Sequence, residues 1–211
     1  LALLAFVSAA TIVSPLPILV ATVEAQTPAA SRPKVLVDAS HGQTVFRDAS
    51  GQPTPVLDRY AAIVRGLNAD FEVTTDKLTP NRLAGYRTVV LYGPTSRPDD
   101  ETVDALIGFV HSGGSLLIGL DEERRQRLEP SRVNDIVRPF GLTFTNDTPC
   151  IHNRGALAAA GRVNQTTREI PYSGGRAVAG GTPFSLVINA DGTPSSMAHA
   201  AWVELPSSGR V

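Results

Sequence analysis

Four polar residues that could do chemistry stand close together near the start of the chain. Asp38, Ser40, His41 and Gln43 directly follow the apolar run at 35–37. A histidine titrates near neutral pH and a nearby carboxylate can orient its ring, so Asp38 and His41 are candidates for an acid/base or ligand-binding pair. The alternative is a turn that Asp38 closes by accepting backbone N–H groups, with His41 covering the loop that follows.

Three acidic residues and one arginine are the other candidates for a ligand site. Asp121, Glu122 and Glu123 end another apolar run, and Arg97 lies between two prolines. Clustered carboxylates could hold a divalent cation or bind sugar hydroxyls, and an arginine could clamp an anion. The alternatives are an acidic helix start, balanced by the arginines just after it, and an ordinary surface arginine. We assign no catalytic residue, no metal site and no cofactor.

Apolar runs and helical spacing predict the elements that must position these residues. Strands are predicted at 35–37, 71–74, 88–92, 115–120 and 142–145. A helix at 56–68 has its expected buried stripe at Leu57, Tyr60, Ile63, Val64 and Leu67. A turn or short helix is predicted at 78–83. Two further helices are predicted, one capped by Asp99 or Asp100 and one capped by Ser131 and closed by Gly141.

The alternation of strands with helices predicts an α/β fold with a doubly wound, mostly parallel sheet in three layers, of the flavodoxin-like type. Parallel strands end at one common edge, where open α/β sheets bind ligands. We therefore expect Asp38, Arg97 and Asp121 to lie around one crevice.

The pattern weakens after residue 145. Glycine and proline dominate up to residue 183, and 184–188 is the clear strand beyond them, with 200–205 as a second candidate. Gly209-Arg210-Val211 has the character of the start of one more strand. We expect residues 34–211 to form a single domain that is truncated at its C-terminus.

The first 25 residues have the character of a signal peptide. Glu24 is their one charged residue, and Val23-Glu24-Ala25 fits the small-residue rule for cleavage. Neither an initiator methionine nor a basic segment precedes them, so we expect the start to be truncated. The alternative is an uncleaved membrane anchor at 1–23. Residues 26–33 read as a flexible lead-in. Both alternatives predict an extracytoplasmic location, periplasmic or secreted.

Charge and cysteine content exclude several function classes. The 211 residues carry 19 basic and 20 acidic side chains, and the balance is even once Glu24 is removed. A neutral chain with no basic run gives no electrostatic case for nucleic acid. The single cysteine, Cys150, cannot form an internal disulfide, and no Cys/His spacing resembles a structural zinc site.

Several motifs resemble the class I glutamine amidotransferase-like fold. More narrowly, they are similar to bacterial domains related to the gliding-motility transporter auxiliary component and to the intraflagellar-transport N-terminal domain. The resemblance covers residues 34–145 and rests on segments 35–43 (VLVDASHGQ), 78–80 (LTP), 83–94 (LAGYRTVVLYGP) and 109–118 (FVHSGGSLLI). It implies a binding role, with saccharide as a candidate ligand.

The catalytic relatives carry a nucleophilic cysteine on the turn after a central strand. Here the corresponding turn reads Leu120-Asp121-Glu122-Glu123, and its acids would oppose a thiolate. Cys150, beside Pro149, lies thirty residues further on. Amide hydrolysis by thiol attack is therefore not expected.

Two functions from different classes remain open. The first is a non-catalytic, extracytoplasmic binding or accessory domain for a polar small molecule or glycan, or for an envelope protein partner. The second is a hydrolase of carbohydrate or another polar small molecule, working through Asp38 and His41. In both cases we expect the chain to contact a membrane only if the N-terminal segment stays uncleaved, and then only through that segment.

Overall fold

The computed structural model describes residues 31–43, 50, 52, 54–123, 125–147, 155–161, 165–170 and 175–211. All the helices and strands below lie in one unit, Arg32–Val211. The predicted signal peptide, most of the lead-in and Cys150 fall outside the described residues. Within those residues, no helix is both long and apolar enough to cross a bilayer.

Four parallel strands form the first sheet. They are β1 (Lys34–Asp38), β2 (Asp70–Thr74), β3 (Thr88–Tyr92) and β4 (Ser115–Gly119), in the spatial order β2-β1-β3-β4. Val37 lies opposite Val73 on one side and Val90 on the other, and Val90 lies opposite Leu117. The strands predicted at 35–37, 71–74, 88–92 and 115–120 are confirmed, and they end at one edge of the sheet.

Helices connect these strands. They are α1 (Pro55–Gly66), α2 (Pro80–Leu83), α3 (Asp100–His111), α4 (Leu128–Ser131) and α5 (Val133–Val137), and a 3₁₀ helix follows at Arg138–Phe140. The side chain of Asp99 caps α3 by accepting the N–H of Thr102 at 2.9 Å. Gly113, at φ +99°, follows the end of α3 in the left-handed conformation that favours glycine.

Alternate residues of the strands face two different helix layers, because successive side chains of a strand point to opposite faces. Leu36, Val89, Leu91 and Leu116 share one core cluster with side chains of α2, α3 and α5. Val37 and Val90 pack instead with Leu57 of α1. The parallel sheet therefore has its buried residues on both faces.

The predicted buried stripe of α1 is wrong at two positions. Leu57 and Val64 are buried, and Tyr60 is partly buried, but Ile63 is 61% exposed and Leu67 is 74% exposed. Ala61 completes the buried line instead. Consecutive residues of a helix point about 100° apart, and Ile63 falls on the side of Val64 that lies away from Leu57 and Ala61.

Ser131 is predicted to cap the helix that follows it, but this prediction is wrong, because Ser131 is the last residue of α4. Its hydroxyl donates to the carbonyl of Leu128 at 2.6 Å. The next residue, Arg132, has φ +51° and separates α4 from α5. The Arg132 guanidinium donates to the carbonyl of Pro98 and to the carboxylates of Asp100 and Asp135. These contacts hold the break before α5, and the helix predicted after Ser131 consists of two short pieces, α5 and the 3₁₀ helix.

A second, antiparallel sheet follows, which the sequence analysis did not predict. Its spatial order is β5-β8-β10-β9-β6-β7. The strands are β5 (Thr143–Phe144), β6 (Ala156–Ala158), β7 (Arg168–Ile170), β8 (Val178–Ala179), β9 (Thr182–Ile188) and β10 (Pro194–Trp202). The strand predicted at 142–145 joins this sheet rather than the parallel one. The fold is therefore mixed α/β, with one parallel and one antiparallel sheet, and the predicted three-layer, flavodoxin-like class is not confirmed.

The last residues lie against the outer edge of β4. The N–H of Leu116 donates to the carbonyl of Arg210 at 2.7 Å, and the N–H of Arg210 donates to the carbonyl of Gly114 at 3.1 Å. Arg210 thus forms a parallel bridge with Ser115.

Candidate functional site

The loop after β1 is organised by the carboxylate of Asp38, which is completely buried. Oδ1 accepts the backbone N–H of Ser40 at 3.0 Å and the Ser40 hydroxyl at 2.6 Å. Oδ2 accepts Nδ1 of His41 at 2.7 Å and Nε2 of Gln43 at 2.5 Å. Four donors from its own loop therefore surround one carboxylate.

These contacts keep Asp38 ionised. Burial opposes the charged form, but the hydrogen bond and the positive potential of His41, together with the bonds from Ser40, outweigh it. The pKa of the Asp38 carboxyl therefore lies below its ordinary value. Because a carboxylate only accepts hydrogen bonds, the proton of the His41 ring faces Asp38 on Nδ1.

His41 and Gln43 close the loop from the other side. The side-chain oxygen of Gln43 accepts the backbone N–H of His41 at 2.8 Å, while its nitrogen donates to Asp38. Both residues are buried, and Ser40 is partly exposed. The four residues predicted here are thus brought together, as a cluster that bonds mainly to itself.

The β1 loop is bound to the loop after β3. The carbonyl of His41 accepts the N–H groups of Thr95 and Ser96 at 2.8 and 3.0 Å. Gly42 has φ +70°, and a Cβ there would collide with the hydroxyl of Thr95, which donates to the Gly42 carbonyl at 2.8 Å. Only glycine fits this close approach without strain.

The loop after β4 joins the same edge through Gln126, which is buried. Its side chain donates to the carbonyl of Pro94 at 2.8 Å and accepts the N–H of Asp121 at 2.9 Å. The N–H of Gly93 donates to the carbonyl of Gly119 at 2.9 Å. Three loops therefore form one continuous polar edge at the carboxyl ends of β1, β3 and β4.

The predicted acidic group is balanced by arginine. Arg125 lies 3.3 Å from the buried Glu122 and 3.5 Å from Asp121, whose side chain is 32% exposed. Within the described chain, Asp121 forms its ion pair with Arg125. No group of three His, Cys, Asp or Glu side chains among the described residues is placed to hold a metal ion.

Arg176, which the sequence analysis missed, links this edge to the second sheet. Its side chain is fully buried, and it donates to the carbonyls of Asp121, Gln126 and Thr145 at 2.9, 2.7 and 3.2 Å. It also donates to Asn146 and forms an ion pair with Glu123. Most of these acceptors are backbone carbonyls distant in sequence, so no local motif could have revealed them.

Arg97 stands at a separate polar cavity of about 360 Å³. Its side chain is 59% exposed and lies 3.3 Å from the carboxylate of Glu129. Both acidic and basic side chains line this cavity, among them Glu123, Arg132, Asp135 and Arg138. Asp38 and His41 are not among its lining residues. Arg97 is thus on the predicted edge, but it contacts different partners from Asp38.

Together these features define a class of protein: a mixed α/β domain whose parallel sheet ends in an internally bonded polar edge. The IFT52 GIFT domain family matches residues 46–166, which is more than half of the chain. The chain belongs to the IFT52 GIFT domain family. The predicted resemblance to the intraflagellar-transport N-terminal domain is thereby confirmed, whereas the likeness to glutamine amidotransferases stays a prediction.

Two relatives agree with this assignment. The intraflagellar transport protein 52 homolog of Mus musculus is 25% identical over 130 residues. That match covers 57% of this chain, and the chain spans only 30% of the mouse protein. The solved mmIFT52 N-terminal domain superposes with a TM-score of 0.63 at 16% identity, over 84% of this chain and 83% of that one. The second match shows a shared fold.

Proposed function

We propose that this chain is a non-catalytic accessory domain that binds a polar ligand, with saccharide as the leading candidate, on the carboxyl edge of β1–β4. Membership of the IFT52 GIFT domain family supports the accessory role. The proposed scaffold is the doubly wound, amidotransferase-like type. An envelope protein partner is a further part of the proposal.

One observation carries the non-catalytic part. The Asp38 carboxylate is fully buried and accepts four hydrogen bonds from its own loop. A general base must reach the proton that it removes, within about 3 Å or through one water. A carboxylate saturated in this way supports the loop instead of meeting a substrate.

The seven candidate residues divide by exposure into two groups. Asp38, His41, Gln43 and Glu122 are buried and support the edge. Ser40, Arg97 and Asp121 keep part of their surface in solvent and would contact the ligand. Hydroxyl, guanidinium and carboxylate groups suit the hydroxyl-rich surface of a sugar.

A turnover screen tests the non-catalytic part. The wild-type chain and the His41→Ala variant are assayed against a panel of glycans and esters. We expect no turnover by either protein. A thermal-shift assay with the same sugars should show stabilisation, about 2.7 kcal/mol at a hundredfold excess over Kd. Arg97→Ala should reduce that shift, and Arg59→Ala, on α1, should not.

The hydrolase is the second candidate, and a specific contact favours it. Nδ1 of His41 lies 2.7 Å from Asp38, which is the pairing that orients a histidine base. Turnover by the wild type that disappears in His41→Ala would establish this candidate and refute the binding-only function.

The extracytoplasmic location is also a proposal, and it rests on the composition of residues 1–25. Intact-mass measurement of the protein from the periplasmic fraction should show a chain that begins at Gln26. Recovery of the unprocessed chain from the cytoplasm would contradict it.

A further inference from the structure

A large groove runs along α3 at the edge of the parallel sheet opposite to Asp38. Its volume is about 900 Å³, and we call it the α3 groove. One wall is the face of α3 that carries Glu101, Asp104, Gly108 and Ser112. The other wall is residues 83–87, and the residues before β4 close one end. This groove is distinct from the polar edge of the proposed function.

The groove exists because α2 is short. The connection from β2 to β3 contains only the four residues of α2 as helix, whereas α3 has twelve. At 1.5 Å per residue, α2 is about 6 Å long and α3 about 18 Å. The described residues therefore leave open the space beside most of α3, where a longer second helix would pack.

The floor of the groove is apolar and its walls lack side chains at key positions. Leu83 and Ala105 are buried, and Tyr86 and Phe109 are partly buried against the same core cluster. A Cβ on Gly85 or Gly108 would meet no atom within 4 Å. Small residues on a helix allow a second helix to approach closely, since interaxial distance follows the size of the contacting side chains.

The charges of the groove are not all neutralised from within. Glu101 is paired with Lys77 at 2.5 Å, but Asp104 is exposed and has no ion pair among the described residues. Arg87, on the opposite wall, donates to the carbonyl of Gly113 at 3.0 Å and has no carboxylate partner in that same part of the chain. A bound partner would therefore face the carboxylate of Asp104 on one wall and the guanidinium of Arg87 on the other.

We propose that the α3 groove docks an amphipathic helix of a partner protein. The face of that helix is small and apolar, with a lysine or arginine opposite Asp104 and an acidic residue opposite Arg87. Helix-in-groove binding uses anchors at helical spacing, and the wall residues of α3 recur at that spacing. Opposite charges on the two walls fix the direction of the bound helix.

A displayed library of helical peptides, selected against the full chain, tests this proposal. The binders are resynthesised and titrated by fluorescence anisotropy against wild type, Gly108→Leu and Gly66→Leu. Gly108→Leu fills the groove and should weaken binding about tenfold or more. Gly66 is a helical glycine with equally open surroundings, on α1, so Gly66→Leu should leave affinity unchanged.

A second variant guards against misfolding. Asp104 is exposed, so Asp104→Lys should keep the melting temperature near that of the wild type and reduce the affinity of basic peptides at least severalfold. Binders without basic residues, binders that tolerate both Gly108→Leu and Asp104→Lys, or a selection that returns no helical binder would each overturn the proposal.

Discussion

At the scale of single residues, the side chains that suggest acid/base chemistry are used to close a turn. Asp38 accepts from the N–H and hydroxyl of Ser40 two positions later, which is the local bonding that aspartate favours in turns. His41 and Gln43 complete the set of donors. The types and spacing of these residues fit both a catalytic pair and a closed loop. The burial of Asp38, His41 and Gln43 favours the closed loop.

Replacing Asp38 by asparagine should destabilise the fold by about 2–4 kcal/mol, because an amide cannot accept from all four donors and a buried donor loses its partner. Urea unfolding at neutral pH measures the change. Asp76→Asn, whose carboxylate is 77% exposed, is the control and should cost less than about 0.5 kcal/mol. Equal effects of the two variants would contradict the supporting role of Asp38.

The destabilisation caused by Asp38→Asn should depend on pH. The folded-state pKa of Asp38 is below its unfolded value of about 3.9, so its stabilisation is complete above that value. It is lost as the pH falls through the folded-state pKa. The difference in unfolding free energy between wild type and Asp38→Asn should therefore be constant above about pH 5 and shrink below about pH 4. A difference that stays constant to pH 2 would show that the carboxylate is not stabilised in its charged form.

Among the arginines at this edge of the sheet, replacement of Arg176 should lower the stability of the fold most. Arg176→Met leaves three backbone carbonyls, of which that of Gln126 is buried, and the carboxylate of Glu123 without their fully buried donor, and we expect a loss of about 3 kcal/mol or more. Arg97→Met removes an ion pair whose arginine is 59% exposed and whose Glu129 is 84% exposed, and it should cost about 1 kcal/mol or less. Thermal unfolding compares the two, and the reverse order would contradict the bridging role.

At the scale of elements, the sequence predicts best where local signals agree. The strands of the parallel sheet are short apolar runs bounded by polar or glycine residues, and α3 has an aspartate cap at one end and Gly113 at the other. The stripe of α1 was less predictable, because size alone favoured Ile63 over Ala61. Which apolar residue faces the sheet depends on how the whole helix is rotated.

Gly108, inside α3, and Gly113, just after its end, should respond in opposite directions to replacement by alanine. Gly108→Ala has open space around the new Cβ and should stabilise by about 0.5–1 kcal/mol, since glycine is unfavourable inside helices. Gly113→Ala should destabilise by about 1 kcal/mol or more, because φ is +99° and the Cβ would lie 3.0 Å from the carbonyl of Ser207. Melting curves of both variants measure this. Equal shifts would contradict the assigned end of α3.

At the scale of the whole molecule, the antiparallel sheet is the part that sequence patterns could not predict. Several of its strands have two or three residues, such as Thr143–Phe144 and Val178–Ala179, which is too short for a periodic signal. Their partners lie far apart in the chain, so pairing is set by the folded topology. Arg176 escaped prediction for the same reason, because its acceptors come together only after folding.

The two ends of the parallel sheet have different characters. The carboxyl edge is polar and internally bonded through His41, Thr95 and Gln126. The opposite edge carries the α3 groove with its apolar floor. The two binding proposals, for a small polar ligand and for a partner helix, therefore concern opposite ends of the sheet.

Amide NMR spectra of the isotope-labelled chain, titrated with a saccharide panel, test most directly whether the carboxyl edge of β1–β4 binds a sugar without turnover. Proton spectra of the same NMR sample follow the signals of the sugars. We expect amide shifts confined to residues 39–43, 93–97 and 120–123, and sugar signals that show no new product over days. Product resonances, or shifts elsewhere while these loops stay unchanged, would contradict a non-catalytic binding edge.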